Sequence, residues 1–358
     1  MDDSEIVTRL LRFLAGAYDC PDIGYAEAPA RISGGRDAAI FGFSLQGAPQ
    51  AIAGPLILRL NRPSIGEARV RLETIAHNWL AAHQYVCPDV RASGTDPSLL
   101  GGVFTVMTRI PGRPLAHDLE RIVGDGPWLA RASGLLRLPA MLNGIIDAWV
   151  DAQIRLHALE PAPLLAAVDA GGLDPATITF EGQLSWMLAT VEQYSLVSLK
   201  PAVNWLTTHR PSTALPHAIC HGDFHPLNIL AQNGKVTGVI DWVNIVVAPA
   251  EMDVGSAIAN IATAPFGVPR ALQFALRMVI ARILLRYQRA YAQRRPLDGD
   301  AVRYFQVFRC VHQLTAVLRN RAAGARQSGT FDSAVGVNNL VRHIRATSGV
   351  TVELSSRP

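Results

Sequence analysis

The stretch CHGDFHPLNILAQNGKVTGVIDW, residues 220–242, decides how the chain is read. Its apolar runs, Ile229 to Ala231 and Val236 to Ile240, flank Asn233-Gly234, a pair that favours the positive φ angles of a type I′ hairpin turn. Folding there makes the runs antiparallel and brings Asn228, just before the first, and Asp241, just after the second, to one open end. Asp223 stands in the incoming loop, five residues ahead of Asn228. With His221 and His225 beside them, these residues read three ways: a metal site, a catalytic base with its helpers, or a hairpin capped by polar turn residues.

An aspartate and an asparagine oxygen suit a hard cation such as Mg²⁺, which keeps waters and takes its remaining ligands from phosphates. Asp223 is then free to accept a proton from a hydroxyl nucleophile. Phosphoryl transfer needs this division of labour, since its catalysis is chiefly positioning and charge neutralisation. The H-x-D-x-H spacing of His221, Asp223 and His225 also admits zinc and a metal-dependent hydrolase, but no third ligand follows at a sensible spacing.

H-G-D-x-x-x-x-N followed by I-D-W resembles the catalytic and metal-binding segments of the aminoglycoside phosphotransferase and choline kinase-like superfamily. Its relatives, the protein kinases, carry H-R-D-x-x-x-x-N and D-F-G in those places. The resemblance implies an α+β, two-lobed protein-kinase-like fold, with a small antiparallel-sheet N-lobe and a larger, mainly helical C-lobe. It also implies ATP, or GTP, and Mg²⁺. Asp223 would be the catalytic base, Asn228 and Asp241 the metal ligands, and His221 and Asp253 structural support for the loop. RISGGRDAAIFGFSL, residues 31–45, is similar to the loop that covers the nucleotide phosphates, with Gly34 and Gly35 as its glycines. LILRL, residues 56–60, resembles the third strand, where many relatives carry a lysine. Here Arg59 takes the phosphate-clamping position, with Glu73 as its helix partner and Glu67 as the fallback. FTVMTRIPGRPL, residues 104–115, is similar to the strand, hinge and linker, where backbone groups of Met107 to Arg109 meet an adenine. QIRLHALEP, residues 153–161, resembles the helix before the catalytic loop, and His157 within it reads as a packed core histidine. The implied function is an ATP-dependent small-molecule kinase with an alcohol group as acceptor. A catalytically inactive kinase-like nucleotide-binding or scaffolding module is the alternative, and Arg59 in place of lysine speaks for it.

Outward from this stretch, 358 residues leave room for two lobes. The prolines and glycine of IPGRPLA divide the chain into a strand-rich lobe over 1–109, a linker at 110–116 and a helical lobe over 117–358. Ser4 reads as the N-cap of a first helix, and further helical patterns run over 65–83, 138–159, 180–207, 250–264, 268–293 and 300–321. Only Lys200 and Lys235 are lysines and the net charge is +4, so no lysine-rich tail exists to grip nucleic acid. Cys20, Cys87, Cys220 and Cys310 form no close-spaced pair, which points to reduced thiols. Acids precede the first apolar stretch and no long uncharged apolar run occurs, so a cytoplasmic chain without a membrane span is expected. Between Val254 and Leu297 there is no Asp or Glu but seven arginines, which favours a neutral or anionic hydroxyl acceptor over a polycationic one. The sequence carries no signal for oligomeric state.

Overall fold

The computed structural model describes residues 2–32, 38–61, 66–117, 128–265, 270–324 and 331–354, without the side chains of 128–140 and 270–272. Gly34 and Gly35 lie outside the described residues. The chain forms two compact units. The first comprises Met1–Gly112, Leu164–Asp174 and Leu230–Val243, and the second comprises Arg113–Pro163, Pro175–Ile229 and Asn244–Pro358.

The first unit is built on a five-stranded antiparallel sheet. Its strands are β1 (Gly24–Arg31), β2 (Ala38–Gln46), β3 (Pro55–Asn61), β4 (Val90–Gly94) and β5 (Phe104–Thr108), in the order β1-β2-β3-β5-β4. Side chains alternate across it. Phe41, Phe43, Leu56, Leu58, Phe104 and Val106 form one face and bury against Ile6, Leu10 and Leu14 of helix α1 (Asp3–Ala17). Those three recur every four residues, so one stripe of α1 covers the sheet. Asp2, not Ser4, caps this helix, its carboxylate accepting from the Glu5 N–H at 2.8 Å. The alternation sends Arg59 to the opposite side of the sheet from Leu58. Helix α2 (Glu67–Ala82) belongs to this unit and is tied to β4 by paired bonds between the Asn78 amide and the Val90 backbone.

The hairpin that follows the catalytic-loop motif consists of β8 (Ile229–Gln232) and β9 (Lys235–Val239), after a two-residue strand β6 (Arg113–Pro114) and strand β7 (His217–Cys220). Asn233 and Gly234 have φ of 52° and 75°, the double left-handed turn expected of Asn-Gly. Residues 164–174 and 230–243 cluster with the first unit. Hydrogen bonds give the reason. The Val239 N–H bonds Val86 O at 2.7 Å, the Thr237 hydroxyl bonds Pro111 O at 2.5 Å, and Arg71 bonds Gly171 O at 2.6 Å.

The second unit is helical, with α4 (Trp128–His157) following the four-residue α3 (Pro97–Leu100) of the first unit. Strand β7 pairs antiparallel with β10 (Val246–Pro249). Helix α5 (Pro161–Ala170), which clusters with the first unit from Leu164 on, was not anticipated by the sequence reading. The pattern over 180–207 is two helices, α6 (Phe180–Gln193) and α7 (Lys200–Thr208), broken where Ser195 turns left-handed at φ 50° and Pro201 opens the next helix. Then come α8 (Ala250–Thr263), α9 (Arg270–Arg294), α10 (Gly299–Ala322) and α11 (Ala334–Ser348). The core centres on α10, whose Phe305, Phe308, Val311 and Leu314 are fully buried with Met187 and Leu206. Helix α8 packs closely on α10 at Gly255, where a Cβ would come within 2.8 Å of Val302 O. Among the described residues no helix is long and apolar enough to cross a membrane.

Candidate active site

In the first unit three predicted residues meet. Arg59, from the centre of β3, reaches Glu73 of α2 at 3.1 Å and Asp241 at 3.6 Å. Glu73 is only 4% exposed. Burial pushes its carboxyl above the ordinary range, Arg59 and Arg69 pull it back, and nearby Asp241 pushes it up again. Glu67, the fallback, begins α2 and makes none of these contacts. Asp241 is held at φ 70°, in the left-handed region that aspartate tolerates better than most residues. Its neighbour sets that turn. The Trp242 side chain is fully buried, donates to Val239 O at 2.9 Å and packs edge-on against Tyr85. The Asp241 side chain stays 42% exposed, so its oxygens can take up a cation.

Met107 and Arg109 have other commitments. Met107 is a buried β5 residue paired with Ile57 and Val90. The N–H groups of Thr108 and Arg109 bond Asp89 O and Pro55 O, each at 3.0 Å, so neither donor is spare for an adenine.

In the second unit the loop after β7 is clamped from beneath. The fully buried Asp253 of α8 accepts from the N–H of His221 at 3.2 Å and of Gly222 at 2.8 Å. The same carboxylate accepts from His157 Nε2 at 3.1 Å and Gln153 Nε2 at 3.2 Å, both on α4. A second tier locks the first: Tyr291 O–H meets His157 Nδ1, and Tyr287 O–H donates to Gln153 Oε1, each at 2.6 Å. Burial alone would raise the Asp253 carboxyl, but the His157 bond, with the charge of His157 and His221 and the Gly222 N–H, brings it below its usual value. Gly222 has no substitute here. Its φ is 76°, and a Cβ would lie 2.3 Å from Asn244 O.

Asp223 follows directly. Its N–H donates to His221 Nδ1 at 3.2 Å, which assigns His221 a bracing role. One carboxylate oxygen, Oδ1, accepts from Asn260 Nδ2 at 2.6 Å, with His225 Nε2 at 3.4 Å and an Arg309 nitrogen at 4.0 Å. Burial works to raise this carboxyl, yet the His225 bond and charge, then Arg309 and His221, hold it well below the carboxylate range. Asn228 is 8% exposed and donates its Nδ2 to Asp223 O at 3.0 Å. That commitment turns Oδ1, the atom a hard cation would use, the other way. An amide oxygen at Asn228 and, in the first unit, a carboxylate at Asp241 are each donors of the kind a hard cation such as Mg²⁺ takes.

His221 and His225 do not build a zinc site. Among the described residues the metal-compatible cluster is His157, Cys220 and Asp253, all buried. There the His157 Nε2 proton is spent on Asp253, and burial keeps the Cys220 thiol well above its ordinary value. Sequence reasoning took His157 for a packed core histidine and gave no role to Gln153, Asn260 or Arg309. The seven arginines from 270 to 295 were weighed as site charge, but Arg294 pairs with Asp147 and Asp151, and Arg295 bonds His157 O. The cation beside Asp223 is Arg309, outside that stretch.

No curated protein matches the sequence. Solved structures do match in fold. They include a Ralstonia eutropha protein provisionally named an aminoglycoside phosphotransferase, with 16% identity over 95% of each chain and a TM-score of 0.59. A thermostable mutant of aminoglycoside phosphotransferase APH(4)-Ia, in ternary complex with AMP-PNP and hygromycin B, gives 17% identity, covers 96% of this chain and all of that one, and has a TM-score of 0.59. An aminoglycoside-3′-phosphotransferase of type VIII gives 18% identity over 84% of this chain and 97% of its own, at a TM-score of 0.50. These likenesses establish the kinase-like α+β fold, a sheet-based N-lobe and a helical C-lobe. Residues 31–305 match the sequence profile of the phosphotransferase enzyme family, and the chain belongs to that family.

Proposed function

We propose that the protein transfers the γ-phosphoryl group of ATP, or of GTP, to a hydroxyl of a small neutral or anionic molecule. The bond from the γ-phosphorus to the nucleoside diphosphate oxygen breaks, a bond to the acceptor oxygen forms, and the hydroxyl proton passes to Asp223. The carrying observation is the placement of Asp223: its Oδ1 is anchored by Asn260 and its backbone oxygen captured by Asn228. Such a group can orient a hydroxyl and accept its proton. Family membership supports the reaction class, and the AMP-PNP and hygromycin B bound to APH(4)-Ia support a nucleotide donor with a small-molecule acceptor.

Asn228 and Asp241 hold Mg²⁺ in this reading. Bound there, the ion would neutralise phosphate charge. Arg59, fixed by Glu73, is the phosphate clamp, with Gly34 and Gly35 covering the phosphates and residues 107–109 bordering the base. Residues 1–109 carry the nucleotide, 110–116 form the hinge, and 117–358 carry the acceptor. A need for ATP and Mg²⁺, together with four unpaired thiols, suits the cytoplasm.

Calorimetric titration of ATP, with and without Mg²⁺, into the native protein and Asp241→Ala tests the nucleotide half. Binding should require both the ion and Asp241. One observation favours the inactive-module reading: Arg59 lies 3.6 Å from Asp241, where its charge competes with a cation. Mg²⁺-independent nucleotide binding with no ADP formation would select that reading.

A further inference from the structure

Asn260, on α8, stands seven residues after Asp253, two helical turns on, so both project from one face of the helix. Asp253 grips the backbone of the loop, and Asn260 grips the side chain of Asp223. The Asn260 amide is itself oriented. Its Oδ1 accepts from Arg309 Nε at 3.0 Å and Gln313 Nε2 at 2.9 Å. An arginine Nε–H only donates, so a reversed amide would set donor against donor, and Nδ2 has to face Asp223. Arg309 and Gln313 are four apart on α10 and therefore share its face. Arg309 is well enclosed, its side chain 14% exposed, and its second nitrogen points toward the same Asp223 oxygen at 4.0 Å. Gln313 Oε1 is buried without a partner, leaving one acceptor unmet at the edge of the network.

We infer that Arg309, acting through Asn260, is a positioning and selectivity residue. It fixes the rotamer of Asp223, and its guanidinium discriminates against acceptors that carry an ammonium group near the reacting hydroxyl. The inference rests on the reading of Asp223 as the base. With Oδ1 occupied, Oδ2 is the oxygen presented to the acceptor. Arg309 does two separable things: its Nε sets the Asn260 amide, and its charge sets the potential where the acceptor binds. Lysine can replace the second function but cannot reproduce the first.

The test measures ADP formation from Mg-ATP with water alone and with three groups of hydroxyl compounds: neutral polyols, hydroxy acids and amino alcohols, hygromycin B included. The proteins are the native chain, Asp223→Asn, Asn260→Ala, Arg309→Met and Arg309→Lys. Mg-ATP affinity by calorimetry serves as the folding control. Asn260→Ala and Arg309→Met should lower kcat by about 10- to 100-fold, the cost of a misplaced group, with Mg-ATP affinity within about twofold. The native protein should prefer polyols or hydroxy acids to amino alcohols, and Arg309→Met should shrink that preference by about tenfold. Arg309→Lys should restore the preference but not kcat. Loss of turnover in Asp223→Asn, together with kcat within twofold in Asn260→Ala and Arg309→Met, overturns the inference alone. A native preference for amino alcohols also overturns it. Full turnover in Asp223→Asn, or no ADP from the native protein with any acceptor, overturns the reading beneath it.

Discussion

The candidate clusters of the first and second units are held by different physics. In the first unit Arg59 is shared between Glu73 and Asp241 at 3.1 and 3.6 Å, and the outer aspartate is 42% exposed. In the second, Asp253 accepts four hydrogen bonds in full burial, and each lateral donor on α4 is locked by a tyrosine hydroxyl. The first arrangement is an electrostatic balance that a cation or phosphate can shift with little rearrangement. The second is a directional network in which every bond depends on its neighbours. In the proposed reaction, charge that would exchange partners is kept loose, and the group that would meet a hydroxyl at a fixed angle is kept rigid.

That contrast can be broken at the rigid end first. Replacing Asp253 by alanine strips four buried donors of their acceptor at once. Stability should fall by about 3–5 kcal/mol, read by chemical denaturation. Next is Asp223→Asn, which keeps the shape and the Asn260 contact but removes the proton acceptor. Turnover should drop roughly a hundredfold to ten-thousandfold with Mg-ATP binding retained, read by paired kinetics and calorimetry.

The loose end responds to pH. Removing the Arg59 charge with Arg59→Met leaves Glu73 buried without its main counter-charge, which raises a carboxyl that burial already holds high. A native state that keeps a proton lost by the unfolded chain loses stability as pH rises from about 4.5 through the folded value. Arg59→Met should therefore be less stable by about 1–3 kcal/mol at neutral pH and recover most of that near pH 4.5, read by melting at several pH values. The smallest effect is expected at the hairpin. Gly234 has φ 75° and open space where a Cβ would go, so Gly234→Ala costs only the conformational penalty, about 1 kcal/mol by denaturation, with Asp223-dependent phosphoryl transfer unchanged.

The hairpin, its turn and the strand that carries Arg59 were legible because each rests on local pattern: Asn-Gly for the turn, a short apolar run after a Gly-bearing loop for the strand. The Arg59–Glu73 pair was legible through family resemblance, since nothing local distinguishes Glu73 from Glu67. Helix α11 was missed although Ser333 caps it, Gly349 ends it in the left-handed region, and Val337, Leu340 and Ile344 recur at helical spacing. There the signal existed and went unread. Asn260 and Arg309 had no local signal at all. They lie 37 and 86 positions after Asp223, and only the packing of α8 on α10 brings them to it. Nor does composition show which side an arginine of α9 faces: Arg294 pairs with Asp147 and Asp151.

Helix α8 also acts as a ruler. At a rise of about 1.5 Å per residue, the grip on the loop backbone and the grip on the Asp223 side chain are set about 10.5 Å apart along one axis. Inserting a single residue between Asp253 and Asn260 would swing the amide about 100° around that axis while leaving the backbone grip in place. The result would be a folded protein whose loop is correct and whose carboxylate is unaimed. Evolution of this chain can therefore change α10 side chain by side chain to meet new acceptors, but the length of α8 between its two grips admits no insertion or deletion.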